Sequence, residues 1–159
     1  MSKAIPEPVT QLIEAFGTLP GIGPKTASRL TYYILRAPEQ VAANLAMALT
    51  DIKTRTTFCK VCGNITVESP CPVCSDEKRD QRTVAVVEEP LDLLAIERTS
   101  TFDGVYHVLH GAISPVNGVG PDDLNIESLL QRVVQGNISE VIIATNPGME
   151  GDATAMYLQ

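Results

Sequence analysis

Residues 59–74 read CKVCGNITVESPCPVC, and this stretch decides how the rest of the chain is organised. Two Cys-x-x-Cys pairs, Cys59 with Cys62 and Cys71 with Cys74, are separated by eight residues. Two thiolates three positions apart can bind one ion from a single tight turn, and two such turns complete a tetrahedral site. The pattern predicts one structural Zn²⁺ bound by all four cysteines, with no ligand position left open for catalysis.

Two disulfides, or a redox-active pair, are the alternatives for these cysteines. The first residues of the chain contain no apolar run followed by a small-residue cleavage site, so we expect no secretory signal. A cytoplasmic chain keeps its thiols reduced, which disfavours disulfides. A redox Cys-x-x-Cys is normally single and lies beside a βαβ unit. The doubled motif in a short loop therefore favours zinc.

Length, composition and charge limit the class of protein. The 159 residues are 44% hydrophobic, enough for one domain or two small ones, and no apolar stretch is long enough to span a membrane. The net charge of −7 is unevenly spread: basic groups exceed acidic ones by two in residues 1–57, and acidic groups exceed basic ones by nine in residues 83–159. A phosphate-binding surface is therefore expected in the first third.

Aromatic residues are scarce, with three Phe, four Tyr and no Trp. This scarcity argues against a platform on which the bases of a single strand stack. Tyr32 and Tyr33 could touch DNA sugars, but we expect them at half-buried positions of a helix. His107 and His110 are expected to have structural roles, because the zinc site already has four ligands.

The first 57 residues predict a helical region. Apolar side chains recur at helical spacing in three stretches, with a break at residues 17–23 and Pro38 before the third stretch. The stripes consist of Leu12, Ile13 and Phe16, then Ala27, Leu30 and Ile34, then Val41, Leu45, Leu49 and Ile52.

Residues 76–159 alternate short apolar runs with helical patterns, which predicts an α/β domain with a mostly parallel sheet. A Gly/Pro-rich loop over residues 111–123 is long enough to be functional. The whole chain is thus expected to be a multi-module α+β protein with a helical module at 1–57, a zinc finger at 58–75 and an α/β domain at 76–159. Strands are predicted at 84–87, 105–109 and 141–144, and helices at 90–98, at 126–134 and from about residue 151.

The joint between the first two helices reads LPGIGPK, residues 19–25. Gly21 and Gly23 leave bare backbone that a phosphate can approach closely, and the free N–H groups of the next helical turn form an anion site. Lys25 and Arg29 are four residues apart and share a face opposite the apolar stripe. An ordinary joint with two solvated charges is the alternative. The pattern resembles the helix-hairpin-helix motif of DNA repair proteins, which holds a DNA backbone without reading sequence.

Acidic and amide residues follow two of the predicted strands. Glu88 follows the first, and Asn146, Gly148, Glu150 and Asp152 follow the third, so the two strand ends should lie together at one sheet edge. This resembles the Toprim domain of topoisomerases, primases and some nucleases, in which a glutamate and an Asp-x-Asp pair hold magnesium. Asn146 and Gly148 stand at the Asp-x-Asp positions. This departure from the family's pattern argues against Mg²⁺ binding and catalysis. The resemblance leaves weak metal binding, or contact with a partner protein, as the role of Glu88, Glu150 and Asp152.

The order of these modules resembles the RecR family of bacterial recombination mediators over essentially the whole chain. The resemblance implies a non-enzymatic protein that forms dimers or tetrameric rings around DNA. It also implies action at single-strand gaps with RecO and RecF, where RecA replaces single-strand-binding protein. The family continues beyond Gln159, so we expect a chain truncated at the C-terminus. The motifs are residues 19–25, the four cysteines, and residues 86–88, 110–115 and 144–147.

The motif match implies particular roles for individual residues. Lys25 and Arg29, with Gly21 and Gly23, would contact DNA, and Glu88, Glu150 and Asp152 would lie on the face that engages RecO. The resemblance also implies a cytoplasmic, nucleoid-associated protein. Two other functions remain open at this point: a magnesium-dependent Toprim nuclease or primase-like enzyme, and a protein-interaction scaffold whose hairpin is structural.

Overall fold

The computed structural model of the chain describes residues 5–159, so the first four residues of the predicted 1–57 module lie outside the described residues. The chain divides into two compact units, residues 5–54 and residues 55–159. No helix within the described residues is long and apolar enough to cross a membrane.

The first unit consists of three helices, as predicted: α1 (Glu7–Gly17), α2 (Pro24–Arg36) and α3 (Glu39–Thr54). Proline stands at the first helical position of α2, where its missing N–H costs nothing. Within residues 5–54, only Ala27 and Thr31 are fully buried. Met47 and Leu49 of α3 stay 60% and 61% exposed. This unit therefore has a thin core and an apolar outer surface.

The second unit begins with a small zinc-finger-like subdomain. Strands β1 (Thr57–Phe58) and β2 (Ile65–Thr66) pair antiparallel on either side of the first cysteine pair, and a short helix α4 (Pro72–Ser75) starts within the second pair. The remaining elements alternate strands and helices: β3 (Asp80–Val87), α5 (Pro90–Glu97), β4 (Gly104–Val108), α6 (Ile126–Gln135), β5 (Glu140–Ile143) and α7 (Met149–Leu158).

The three longer strands form one parallel sheet in the order β4-β3-β5, which confirms the predicted mostly parallel sheet. Strand β3 is central, and its residues 84–87 alternate between two apolar clusters, one on each face. Burial on both faces explains why these four residues are all apolar. The strand begins at Asp80, earlier than predicted, because Asp80, Gln81 and Arg82 are exposed and carry no apolar signal.

The carboxyl ends of β3 and β5 lie side by side, because Val86 pairs with Ile143 in the parallel ladder. Glu88 therefore emerges next to residues 144–147, and α7 begins just beyond them. The loop that follows β4 runs over residues 109–125 and contains two short 3₁₀ turns, Pro115–Asn117 and Pro121–Asp123. These segments build the edge at which the sequence predicted an acidic site.

Candidate functional site

The four cysteines converge on one point in the second unit. Their sulfur atoms all lie within 4.8 Å of one another, and the Sγ atoms of Cys62 and Cys71 are 3.5 Å apart. A tetrahedral Zn²⁺ with bonds of about 2.3 Å requires sulfur atoms about 3.8 Å apart, so this donor set fits the ion. Three of the cysteines are buried, which leaves no room for a substrate. The site is closed, as structural zinc sites are.

Backbone groups prepare these sulfurs to carry negative charge. The N–H groups of Asn64 and Cys71 donate to the sulfurs of Cys62 and Cys59 over 3.5 and 3.3 Å. The neighbouring Cys74 thiol lowers the pKa of Cys62, whereas the nearby Cys62 sulfur and burial raise the pKa of Cys74. Thiolates this close together repel one another, and a divalent cation between them removes the repulsion.

The first cysteine turn packs directly on the end of strand β4. The Val108 N–H donates to the Cys62 carbonyl over 2.7 Å, and Asn125 Nδ2 donates to the Val108 carbonyl over 3.0 Å. Gly63 has a φ of +75°, and a Cβ atom there would lie 2.9 Å from both Asn125 Nδ2 and the Val108 oxygen. The zinc subdomain and the sheet are therefore held together by close backbone contact, which only glycine permits at position 63.

His107 and His110 have structural surroundings, as expected. His107 is fully buried, and burial lowers its pKa to about 4, so the ring is neutral and donates from Nε2 to the Asn125 carbonyl over 2.7 Å. The His110 ring packs edge-on against Phe58 with centroids 4.6 Å apart. The two rings thus brace the contact between the sheet and the zinc subdomain.

The joint between α1 and α2 is a tight turn with an open N-terminal helix end behind it. The Ile22 N–H donates to the Leu19 carbonyl over 3.1 Å, and Gly21 between them has a φ of +77°, as the third residue of a type II turn requires. Gly23 caps α2 and offers no side chain to its first N–H groups. Those donors are left for an external anion.

The predicted cations lie on the solvent side of this helix end. Lys25 and Arg29 are exposed, and their side chains make no ion pair or hydrogen bond with any residue of the described range 5–159. Ala27, two positions after Lys25, is fully buried on the opposite side. The structure therefore places the glycine turn, the free helix end and two cations within the first two turns of α2.

The acidic edge is organised differently. Glu88 is only 9% exposed, and Asn146 donates to both of its carboxylate oxygens, from the backbone N–H over 2.9 Å and from Nδ2 over 2.8 Å. Gly151 packs against this pair, since a Cβ there would lie 2.0 Å from the Asn146 carbonyl oxygen. Both carboxylate oxygens of Glu88 are therefore already hydrogen-bonded within the chain.

The other two acids do not converge on Glu88. Glu150 accepts hydrogen bonds from Ser114 and, over 3.4 Å, from Asn117, both in the loop after β4. Asp152 is exposed, and its carboxylate has no partner among the described residues. Within residues 5–159, only the four cysteines bring three or more potential ligand atoms of His, Cys, Asp or Glu close enough to share one metal ion. The three acids do not form such a cluster.

Sequence reasoning missed two kinds of residue. Asn125 joins the zinc subdomain to the sheet through contacts that appear only once residues 62, 108 and 125 are brought together. Tyr32 and Tyr33 were expected to be half-buried, but they are 42% and 63% exposed. Both tyrosines lie on the same side of α2 as Lys25 and Arg29, and this helical spacing could have predicted their exposure.

Three described protein families match successive parts of the chain. The RecR helix-hairpin-helix family matches residues 9–53, the RecR four-cysteine zinc finger domain matches residues 56–76, and the Toprim domain matches residues 82–159. These matches confirm the predicted order of a helical region, a four-cysteine finger and a Toprim domain. The zinc-finger match and the cysteine cluster together confirm the prediction of one structural Zn²⁺.

Individual proteins resemble the chain over almost its whole length. A Recombination protein RecR from Herpetosiphon aurantiacus is 58% identical over 153 residues, which cover 96% of this chain and 75% of that protein. A Recombination protein RecR from Chloroflexus aggregans is 55% identical over 154 residues, which cover 97% of this chain and 75% of that protein.

Proposed function

Because the chain belongs to the RecR family of recombination proteins, we propose that it is a DNA-binding recombination mediator in DNA repair that performs no chemistry of its own. In this proposal it acts in the bacterial cytoplasm, at the nucleoid, where it binds single-strand gaps with RecO and RecF and promotes the loading of RecA. In this proposal the module at 1–57 contacts DNA, the zinc finger at 58–75 supports the fold, and the module at 76–159 contacts partner proteins.

The hairpin at the start of α2 is the observation that carries the proposal. Gly21 and Gly23 expose backbone, the N-terminus of α2 presents unbonded N–H groups, and Lys25 and Arg29 add two cations that no described residue neutralises. Such a helix end binds phosphate oxygens, and phosphate contacts carry no sequence information. We therefore assign these four residues to sequence-independent contacts with the DNA backbone, duplex or gapped.

The absence of catalysis is supported by the state of the acidic edge. Metal-assisted phosphoryl chemistry needs several anionic oxygens around a cation. Here both oxygens of Glu88 already accept hydrogen bonds from Asn146, and Glu150 accepts from Ser114. The three acids do not bring their carboxylates together at one point, so we propose that zinc is the only metal cofactor.

Partner contacts are assigned to the same edge. Asp152 and Glu150 are exposed at the start of α7, on the more acidic part of the chain, and Glu88 lies beside the same edge. An acidic face of this kind steers a basic partner surface. By family resemblance that partner is RecO, with RecF in a separate complex. The exposed apolar residues of α3 support the further proposal that the chain forms dimers or tetrameric rings.

The experiment is a salt titration of binding to a gapped duplex. The double variant K25A/R29A is expected to reduce the magnitude of the slope of log K against log salt concentration by about two units, because each lost phosphate contact removes about 0.9. A matched control, K78A/R98A, removes two exposed cations from the second unit and should leave the slope unchanged. Circular dichroism of each variant checks that α2 is intact.

Three results would contradict the proposal. An unchanged slope in K25A/R29A would remove the hairpin from the DNA contact, and an equal reduction in both variants would make the effect one of net charge alone. Cleavage or synthesis on gapped DNA with Mg²⁺ or Mn²⁺, abolished by E88Q, would establish a Toprim enzyme instead.

A further inference from the structure

One face of α2 carries cations and an aromatic ring from its first turn to its last. Lys25, Arg29, Tyr32 and Arg36 are separated by four, three and four residues, and at 100° per residue they fall within a sector of about 60°. At about 1.5 Å per residue, the stripe is about 16 Å long. All four side chains are exposed, and Tyr33 is exposed on the flank. These five residues are called the α2 face below.

The α2 face is a surface and not part of the core. Tyr32 and Tyr33 are 42% and 63% exposed, whereas Ala27 and Thr31 on the opposite side of the helix are buried. With Ser28, the α2 face forms one continuous open surface along the helix. Two of the four tyrosines of the chain therefore point into solvent beside the proposed phosphate contacts.

The charge of the α2 face is not neutralised within its own unit. Helix α2 contains no Asp or Glu, and the side chains of Lys25, Arg29 and Arg36 make no ion pair or hydrogen bond within residues 5–159. Two copies that met symmetrically through this face would bring three cations against three cations. The face therefore fits an anionic partner better than a second copy of the chain.

We propose that the α2 face binds a single-stranded DNA segment, with phosphates on Lys25, Arg29 and Arg36 and unpaired bases stacked on Tyr32 and Tyr33. The inference rests on the proposed DNA-binding function and adds the bases as a second point of contact beside the phosphates. A duplex keeps its bases stacked on one another inside the helix, where an exposed tyrosine on a helix surface does not reach them. A single strand offers both phosphates and free base faces, and a cationic surface with aromatic rings can bind both without sequence preference.

The affinities for an oligothymidylate and for an abasic sugar–phosphate oligomer of equal length distinguish base stacking from phosphate contact. Stacking is worth about 5- to 150-fold in affinity per base, so the wild-type chain should bind the oligothymidylate more tightly by at least the lower value. The variant Y32A/Y33A should lose this preference, while its affinity for the abasic oligomer and its salt slope stay unchanged. The variant Y32F/Y33F should retain the preference, because the rings remain.

The chain offers a matched control in Tyr157, which is 57% exposed on α7. The variant Y157A should keep the full preference for bases. Because the chain has no Trp, tyrosine emission also reports stacking directly, and oligothymidylate should quench it in the wild type and in Y157A but not in Y32A/Y33A.

The possible failures are distinguishable. Equal wild-type affinity for the two oligomers would overturn the stacking proposal and leave backbone binding in place. Wild-type binding to neither oligomer nor gapped duplex would overturn the proposed function as well. Loss of the preference in Y157A, or in Y32F/Y33F with α2 intact by circular dichroism, would also contradict the assignment of stacking to these two rings.

Discussion

Two pairs of charged side chains, one pair in each unit of the chain, are held in opposite ways. In residues 5–54, Lys25 and Arg29 face solvent without an ion pair or hydrogen bond to any described residue. In residues 55–159, Glu88 and Glu150 accept hydrogen bonds from Asn146 and Ser114 of the same chain. The two cations are free to bind an external phosphate, whereas the two carboxylates already take part in hydrogen bonds of the fold. The position of a charged residue at a strand or helix end therefore does not by itself show whether its charge is free.

The two units also differ in how much buried core stabilises them. Residues 55–159 contain two buried apolar clusters, one on each face of the sheet, and a third cluster formed by the cysteines. In the described part of the first unit, only Ala27 and Thr31 are fully buried. The second unit therefore depends on its interior and its metal, and the first presents most of its side chains outward.

Removal of zinc should have the largest effect on stability, and this effect should be confined to the second unit. Structural zinc contributes about 10–16 kcal/mol of apparent binding free energy, so a chelator should unfold the loop around residues 57–75. The Val108 N–H, which donates to Cys62, should lose protection from hydrogen exchange. The amides of α1 and α2 should keep theirs. Hydrogen exchange with mass spectrometry measures both, and metal analysis should find about one zinc per chain. Equal loss of protection in both units, or a metal-free chain with full protection, would contradict the comparison.

The next largest effect is expected from N146D, which would place a second carboxylate beside Glu88. The lost hydrogen bond to a charged group and the new repulsion should lower the free energy of unfolding by about 2–3 kcal/mol. Mg²⁺ should restore part of the loss in N146D, because the variant pair offers a cation two carboxylates, and should not stabilise the wild type. Urea unfolding with and without Mg²⁺ measures both effects.

Two further variants test the cause of that loss. E88Q/N146D reverses donor and acceptor and should recover most of the stability. N137D makes the same chemical change at an exposed position and should alter stability by less than about 0.5 kcal/mol. Stabilisation of the wild type by Mg²⁺ that E88Q abolishes would show instead that Glu88 binds the ion.

A smaller effect should separate two glycines with nearly the same backbone angle, one in each unit. Gly21 and Gly63 have φ values of +77° and +75°, but only Gly63 has atoms within 4 Å of an added Cβ. G21A should therefore cost about 1–2 kcal/mol for the left-handed conformation alone. G63A should cost about 2 kcal/mol more, because the zinc subdomain must move off β4. Thermal unfolding of the two variants measures the difference, and equal losses would contradict the close contact at Gly63.

Much of this organisation is predictable because its signals are local. The cysteine spacing, the apolar run at 84–87 and the glycines and proline of residues 19–25 each determine a feature within a few residues. The contact of Glu88 with residues after β5 was also predictable, because the ends of parallel strands meet at one edge. What could not be predicted was the effect of Asn146: its sequence position marks a lost carboxylate, but only the folded chain shows its amide bonded to both oxygens of Glu88.

Two other features were not predicted from the sequence: the contact between Asn125 and Val108, and the exposure of Tyr32 and Tyr33. Asn125 meets Val108 across 17 positions, and no periodic pattern in the sequence reports such a pair. Tyr32 and Tyr33 were assigned to half-buried positions because tyrosines in helices commonly are, and the thin core of the first unit leaves both exposed. Burial depends on how much apolar surface the neighbouring helices supply, which a single helix does not encode.

The two amides at the acidic edge also differ in chemical durability. Asparagine deamidates when the backbone nitrogen of the next residue attacks its side chain, and this requires that the nitrogen carry a hydrogen. Asn146 precedes Pro147, which has none, so the amide that holds Glu88 is protected from this reaction. Asn117, which donates to Glu150, precedes Gly118, which has an N–H, here donated to the Pro115 carbonyl over 3.2 Å, and no side chain to hinder the attack. As the protein ages, negative charge should therefore accumulate beside Glu150 and not beside Glu88.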